Sequence, residues 1–479
     1  MKLLNYDDCN EMPIETVWEY YRKHINPAQV DLIASFGFGK ELVSHSEGPW
    51  ITTRSGKRIL DFTGGIGVLN HGHNHPRILA VRRKYAQEKR MEVHKNFFSP
   101  YLAALSHNLA QLFPEDLDFC YFPNSGAEAV EGAIKLAYKY HEGQRKTILY
   151  SDISFHGKLL GAASVTGSPE LDFKFPQISG CHSFQYDCLE SVEELINKTR
   201  TAKGSSDVYA LILEPMNASS LRECSPEFLR GVRNLCTKEN IVLIFDEVYT
   251  GWAKTGSLFY FFKAGVIPDI VTMSKSFGGG KASIAGYVTR RPIFLKAYGN
   301  LNDATLHSTT YYGFGEEAVS ALEAVNIIVE EDYVNKAQHI YDCVHPRLVE
   351  LQTKYPTLIK EVRGAGALNG ILFNDKLPAL QAITSILPSK LFRDSRFIQK
   401  VVTSAVINHL YNEFGILSFF GSNREIVFIV SPPLVIEERE LDYFLTSLDK
   451  TLAQGLGKLI TGFVKDKFFA KKTQEKKVA

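Results

Sequence analysis

Three short, unbroken apolar runs constrain this chain most: YALILEP at 209–215, IVLIFDEV at 241–248 and PDIVTMSK at 268–275. A strand with one wet face alternates apolar and polar residues. Runs without alternation belong to strands covered on both faces, as in a parallel sheet between helices. Longer helical patterns lie between such runs. AVEGAIKLAYKYHEG, for example, gathers Ala129, Val130, Ala133, Ile134 and Ala137 on one face. This alternation, from about 76 to 330, predicts βαβ units and a mainly parallel sheet. Before it, TTRSGKRILDF reads as a turn followed by a strand. After it, helix EEDYVNKAQHIYDCVHPRLVELQTKY, strands ALNGILF and EIVFIV, and helix EERELDYFLTSLDKTLAQ predict a smaller α+β unit.

Composition narrows the function classes. The 479 residues hold 54 Lys plus Arg against 53 Asp plus Glu, a formal net charge of +1. That balance gives no support to a nucleic-acid partner, which needs a basic excess. The seven cysteines are scattered and form no CxxC pair, so a disulfide framework is not expected and a reducing compartment is. The start MKLLNYDDCNEMPIE has no apolar block, so no secretory leader is expected, and no stretch approaches the roughly 18–20 apolar residues of a membrane span. A cytoplasmic enzyme is the expectation. From Lys458 the tail carries seven Lys against one Asp and one Glu. It reads as a solvated terminal helix, or through Leu459, Ile460, Phe463, Phe468 and Phe469 as a membrane-surface or partner-docking helix.

In an open parallel sheet, function gathers in loops leaving the carboxyl ends of the strands. Three such loops carry unusual polar residues. In FPNSGAEAVEGAIKLA, Ser125, Gly126 and Ala127 open a helix whose N–H groups suit a phosphate; equally, Ser125 and Glu128 form an ordinary capping pair. Asp246 and Glu247 close a buried run, where an acidic pair calls for a metal, a basic side chain or a protonated ring nitrogen. Lys275 precedes three glycines; a buried lysine has a lowered pKa and can form a Schiff base with a carbonyl. GGGKAS is not a P-loop, because Ala282 stands where Ser or Thr is required. His71, His73 and His75 alternate without Cys or acidic neighbours and read as a turn, so no metal ligands are assigned. Taken together, a phosphate site, a ring-nitrogen acid and an aldehyde-binding amine describe pyridoxal 5′-phosphate (PLP).

These motifs resemble the class III aminotransferases, the PLP-dependent group that includes ornithine, 4-aminobutyrate and putrescine aminotransferases. The likeness runs from about 45 to 455 through LDFTGGIGVLNHGHNHP, FPNSGAEAVEGAIKLA, FHGKLLGAASVTG, LILEP, DEVYTGWAKTG, PDIVTMSKSFGGG, HSTTYYG, RGAGALNG and SPPLVI. It implies the α/β fold type I: a large, mainly parallel-sheet domain at 76–330 and a smaller α+β domain at 331–457. Residues 1–75 would contribute to the smaller one, and 458–479 form the basic tail. It further implies Lys275 as Schiff-base lysine and proton carrier, and Asp246 as partner of the pyridine nitrogen. Ser125, Gly126 and Ala127 would form the phosphate turn, Phe155 would stack on the ring, and Glu214 would support the pocket. Thr310 would reach the phosphate of a second subunit, hence a homodimer with shared sites. Tyr249 replaces a common Gln near the cofactor's phenolic oxygen, and Lys254 replaces a common Arg. Ile429 stands where members have the Arg that holds the glutamate α-carboxylate, and Ser219 stands where that Arg's Glu partner is usual. The expected activity is transfer of an amino group between a primary amine, such as a diamine or ω-amine, and a carbonyl compound, a carrier-tethered aldehyde among the acceptors. An aminomutase, racemase or lyase remains open, as does a catalytically silent relative. Arg424, five residues before Ile429, is expected to face away from it along a regular strand.

Overall fold

Residues 3–168, 175–375 and 396–463 are described by the computed structural model of the chain. After three short N-terminal helices come β1 (Val43–Glu47), β2 (Trp50–Thr53) and β3 (Arg58–Asp61). The turn predicted in TTRSGKRILDF joins β2 to β3 as an antiparallel pair. The chain then builds β4 (Leu117–Tyr121), β5 (Thr147–Ser151), β6 (Cys181–Phe184) and β7 (Val208–Leu213). The two-residue strands β8 (Met216–Asn217) and β9 (Arg222–Glu223) follow, then β10 (Val242–Asp246), β11 (Ile270–Met273) and β12 (Gly286–Arg290).

Seven of these strands form one sheet in the order β4-β12-β11-β10-β7-β5-β6. β12 is antiparallel to both neighbours, and the pairs among β11, β10, β7, β5 and β6 are parallel. Every residue of β5, β7, β10 and β11 is buried, as the unbroken apolar runs require of strands covered on both faces. Helix Gly126–Tyr140 lays Ala129, Val130, Ala133, Ile134 and Ala137 onto this sheet.

A second sheet, β13 (Ile359–Ala365), β14 (Leu368–Phe373), β17 (Ile426–Val430) and β16 (Phe419–Ser422), is antiparallel throughout. Helices Tyr333–Lys354 and Glu438–Ala453 pack on each other, and β15 (Ile416–Leu417) joins β3 in parallel. This second region and the large sheet share one continuous apolar core, which runs from Leu117 and Phe245 to Phe428 and Phe444. In the basic tail, Leu459, Ile460 and Phe463 are buried in that core and so do not form an exposed docking face; residues 464–479, including Phe468 and Phe469, lie outside the described residues. Among the described residues no helix is long and apolar enough to cross a membrane. All seven cysteines are free.

Candidate active site

Parallel register gathers the sequence motifs at one edge of the large sheet. Phe245 pairs with Leu213 and Asp246 with Thr272, so Glu214, Asp246 and the Ser274–Lys275 turn leave neighbouring strands side by side. Tyr121 is in register with Tyr287, and Tyr287 with Thr272. The Asn124–Ser125–Gly126 turn therefore opens at the same edge. A Cβ built on Gly126 would lie 3.0 Å from Val248 and 3.4 Å from Ser274, so this helix start presses directly on the Asp246 and Lys275 loops. The loop after β5 brings Phe155 and His156.

Asp246 is buried and held from three sides. His156 Nδ1 lies 2.7 Å from one carboxylate oxygen, while the Val248 N–H and the Thr272 hydroxyl donate to the other at 3.0 Å each. Its orientation is thus fixed before any ligand arrives. The His156 Nε2 is buried with no hydrogen-bond partner among the described residues. In the sequence, His156 carries no signal beyond its place beside Phe155 in FHG. Glu214 accepts from the Phe155 N–H at 2.9 Å, from Asn217 Nδ2 at 2.6 Å and from the Ala218 N–H at 3.3 Å. Burial pushes its carboxyl up to about 7, against the pull of His156.

Lys275 sits in a one-turn helix with a left-handed φ of 51°, a conformation that a non-glycine residue adopts at a cost of about 1–3 kcal/mol. Its Nζ donates to the Ile66 carbonyl at 3.3 Å and lies 3.9 Å from the centre of the Tyr249 ring. Burial pulls the amine down to about 8, opposed by the negative charges of Asp246 and Glu214. Tyr249 also donates to Ser431 Oγ at 3.4 Å. Gly67 crosses above it with φ 82°, and a Cβ there would come within 2.9 Å of the Tyr249 ring, so only glycine lets the TGGIG segment close down.

Ser125 accepts from the Glu128 N–H, and the Glu128 carboxylate accepts from the Ser125 N–H at 3.1 Å and the Asn124 N–H at 2.7 Å. The capping pair is therefore formed, with Gly126 and Ala127 as the helix's first residues. Phe155 is 41% exposed. Thr310 is exposed as well, while the neighbouring Thr309 accepts a hydrogen bond from Asn124 Nδ2 at 3.4 Å.

Some polar residues turn out to have other partners than the sequence suggested. Glu247 meets no basic side chain among the described residues. It accepts the Tyr260 and Phe261 N–H groups at 2.5 and 2.8 Å, at the start of helix Tyr260–Ala264, and the Thr250 hydroxyl at 3.0 Å. Arg424 is not on a strand at all. It lies in the turn between β16 and β17, where it pairs with Asp152 at 3.3 Å, because the strand begins only at Ile426. His71, His73 and His75 go to separate partners: the Ala324 carbonyl, Asp61 and Glu331.

Ile429 is buried in an apolar cluster with Met216, Leu221, Tyr260, Leu368 and Val427, and Tyr249 packs against that cluster. A Cβ on Gly421 would lie 2.8 Å from Ile429 Cδ1 and 2.0 Å from the Ser219 carbonyl oxygen, so the two segments that depart from the family pattern pack around one point. Nearby, the Arg363 guanidinium donates to the Ser220 carbonyl and to Glu425, both at 2.8 Å, and to Glu361 at 2.5 Å.

Lys254 is fully buried, and its Nζ donates to the Pro432 carbonyl at 3.1 Å. Burial pulls the amine down to about 7, with Asp61 opposing and Lys275 adding to the fall. This lies below its value of about 10.5 in the unfolded chain, so the folded protein holds fewer protons between about pH 7 and 10 and stability should rise with pH across that window. Lys254→Met should flatten that rise. The stability difference between variant and wild type, read from urea midpoints at pH 6 and pH 9.5, should shift toward wild type at the higher pH. An unchanged difference would mean that the amine is not desolvated in the fold.

The donor set fits PLP: a fixed carboxylate for a protonated ring nitrogen, an amine for the aldehyde, and a helix start for the phosphate. The unpartnered His156 nitrogen behind Asp246 adds a polar atom to the same cradle. Comparison with known proteins agrees. The model of the class-III aminotransferase family matches residues 39–452. A transaminase from the marine bacterium Virgibacillus superposes with a TM-score of 0.79 at 22% identity, covering 93% of this chain and 99% of that one. The ornithine aminotransferase of Toxoplasma gondii gives 0.76 at 24% identity, covering 95% and 99%. An (S)-enantioselective ω-transaminase from Thermomicrobium roseum gives 0.77 at 25% identity, also covering 95% and 99%.

Proposed function

The chain belongs to the class III aminotransferases, a PLP-dependent family of fold type I, and from that premise we propose that it moves an amino group between a primary amine and a carbonyl compound without the Arg/Glu pair used for glutamate. A diamine or ω-amine as donor, or a carrier-tethered aldehyde as acceptor, suits such a site. The observation that carries this reading is the buried apolar cluster of Ile429, with the Ser219 segment packed beside it around Gly421.

When bound, PLP supplies an electron sink for the negative charge left on the substrate carbon. The chain supplies the rest. Asp246, held by His156, Val248 and Thr272, offers a fixed negative charge to the ring nitrogen. Gly126 and Ala127 would offer N–H groups at the helix N-terminus to the phosphate, and Ser125 its hydroxyl, since the Ser125 N–H is taken by Glu128. Phe155 offers its ring as a stacking face, with its backbone anchored by Glu214. Tyr249 packs against Lys275 and would help hold the cofactor on its phenolic side. The Lys275 amine, held near 8, exchanges a proton readily close to neutral pH and is suited to carry one to and from the substrate carbon. Screening the loaded enzyme against panels of amines and carbonyl compounds tests the reading. A free keto or aldehyde product with an aminated acceptor supports it; turnover without a free carbonyl product would point instead to an aminomutase or racemase.

Thr310 is proposed to complete the phosphate site of a second copy. It is exposed, and Phe97, Phe98, Leu301 and Tyr311 are exposed apolar residues as well. Such side chains suit a subunit interface. Sedimentation should show a dimer at assay concentrations, and a fully active monomer would refute the shared site.

A further inference from the structure

We propose that His339, Cys343 and Glu438 form a binding site for a borderline-soft divalent cation such as Zn²⁺, separate from the PLP site. His339 and Cys343 are one turn apart on helix Tyr333–Lys354, so both side chains project from the same face. Glu438 enters from the first turn of helix Glu438–Ala453, which packs against that helix. The three ligand atoms all lie within 4.8 Å of one another.

Two distances carry the inference. His339 Nε2 is 3.7 Å from Cys343 Sγ and 3.1 Å from Glu438 Oε1. Around a tetrahedral zinc, with bonds of about 2.3 Å to sulfur and about 2.0–2.2 Å to nitrogen and oxygen, those separations would be about 3.5 and 3.4 Å. Each differs by a few tenths of an ångström, within reach of a small side-chain rotation. A simple hydrogen-bonded cluster explains less, because one imidazole nitrogen faces two groups and has one hydrogen or one lone pair to offer. A cation satisfies all three at once. Asp342 and Asp442 add negative charge around the thiol, and Arg347, the cation that acts on it, is itself paired with Asp442. Three protein ligands leave a position for water or an external group.

Coordination requires the thiolate, so binding releases the Cys343 proton to solvent. It also ties helix Tyr333–Lys354 to the start of helix Glu438–Ala453, which should raise the unfolding temperature.

The test uses the PLP-loaded enzyme, with Zn²⁺ titrated against a chromophoric chelator and Co²⁺ as the spectroscopic probe. The expected result is one saturable Zn²⁺ equivalent and an intense near-ultraviolet sulfur-to-cobalt band. That band should vanish in Cys343→Ser, and Zn²⁺ affinity should fall at least tenfold in His339→Ala and in Glu438→Gln. Both His339 and Glu438 are exposed, so these two variants keep the fold while removing a ligand. A cobalt–sulfur band that survives Cys343→Ser would place the metal on another cysteine and overturn the proposal. So would wild-type affinity no higher than that of His339→Ala.

Discussion

Lys275→Ala is expected to lower turnover by about 10⁴-fold or more, since it removes both an acid–base group, worth about 10²–10⁴ by itself, and the covalent attachment point. The loss should fall on kcat, because Asp246, Phe155 and the helix start at Gly126 still bind the cofactor. Thermal melting should be little changed: the wild-type amine's 3.3 Å hydrogen bond to Ile66 and its contact with the Tyr249 ring are offset by a desolvation cost that alanine avoids. Borohydride treatment of the wild-type enzyme should fix the cofactor irreversibly to the peptide containing Lys275, and peptide mapping reads the site directly. The rival is Lys254, whose amine is held even lower, near 7. A label on Lys254 would sink the assignment. The geometry favours Lys275, because Lys254 is fully buried and committed to the Pro432 carbonyl, whereas Lys275 faces Tyr249 at the edge where Asp246 and Glu214 converge.

Glutamate is expected to be a poor amino donor. A binding site that lacks the cation for a buried carboxylate gives up about 2–5 kcal/mol of interaction. At tenfold per 1.4 kcal/mol that is roughly 30- to several-thousandfold in rate at limiting substrate. Among the described residues, three cations of this region are already engaged: Lys254 on Pro432, Arg363 on Glu361 and Glu425, and Arg424 on Asp152. The measurement is a single-turnover mixture of loaded enzyme and glutamate, followed by quantifying 2-oxoglutarate per site. Rapid, saturable formation at low-millimolar glutamate would show that one of these cations, or one outside the region, takes the carboxylate. A paired experiment isolates the physical cause. Ile429→Arg alone should destabilise the protein by about 3–5 kcal/mol, because an unpaired charge enters an apolar cluster. Adding Ser219→Glu should recover part of that stability and some glutamate activity. If the double variant is no more stable than the single one, the two positions do not face each other as the family pattern implies.

Much of this architecture was legible in the sequence because its causes are local. VLIFD, VYALIL and IVTM are apolar without alternation, and all three are buried on both faces. Ser125 with Glu128 marked a helix start, and the start is capped as that pair predicts. The loops that end these strands pointed to Asp246 and Lys275, and the resemblance to class III aminotransferases added Glu214 and Phe155. The parallel register then set Asp246, Lys275 and Glu214 at one sheet edge.

What the tertiary structure alone decided is the partner of each buried charge. Glu247, read beside Asp246 as one acidic pair, serves the start of a helix thirteen residues on, while Asp246 is held by His156, ninety residues away. Regular spacing before Ile429 predicts Arg424 on a strand, but the hairpin turns there instead, and the side chain reaches Asp152. Lys254 finds Pro432 across 178 positions of chain, and His339 and Cys343 meet Glu438 only because two late helices pack together. Sequence states which faces must leave water, since that depends on periodicity along one segment. Which donor then meets which acceptor depends on the neighbouring strand and its register, and a slip of one residue exchanges the two faces.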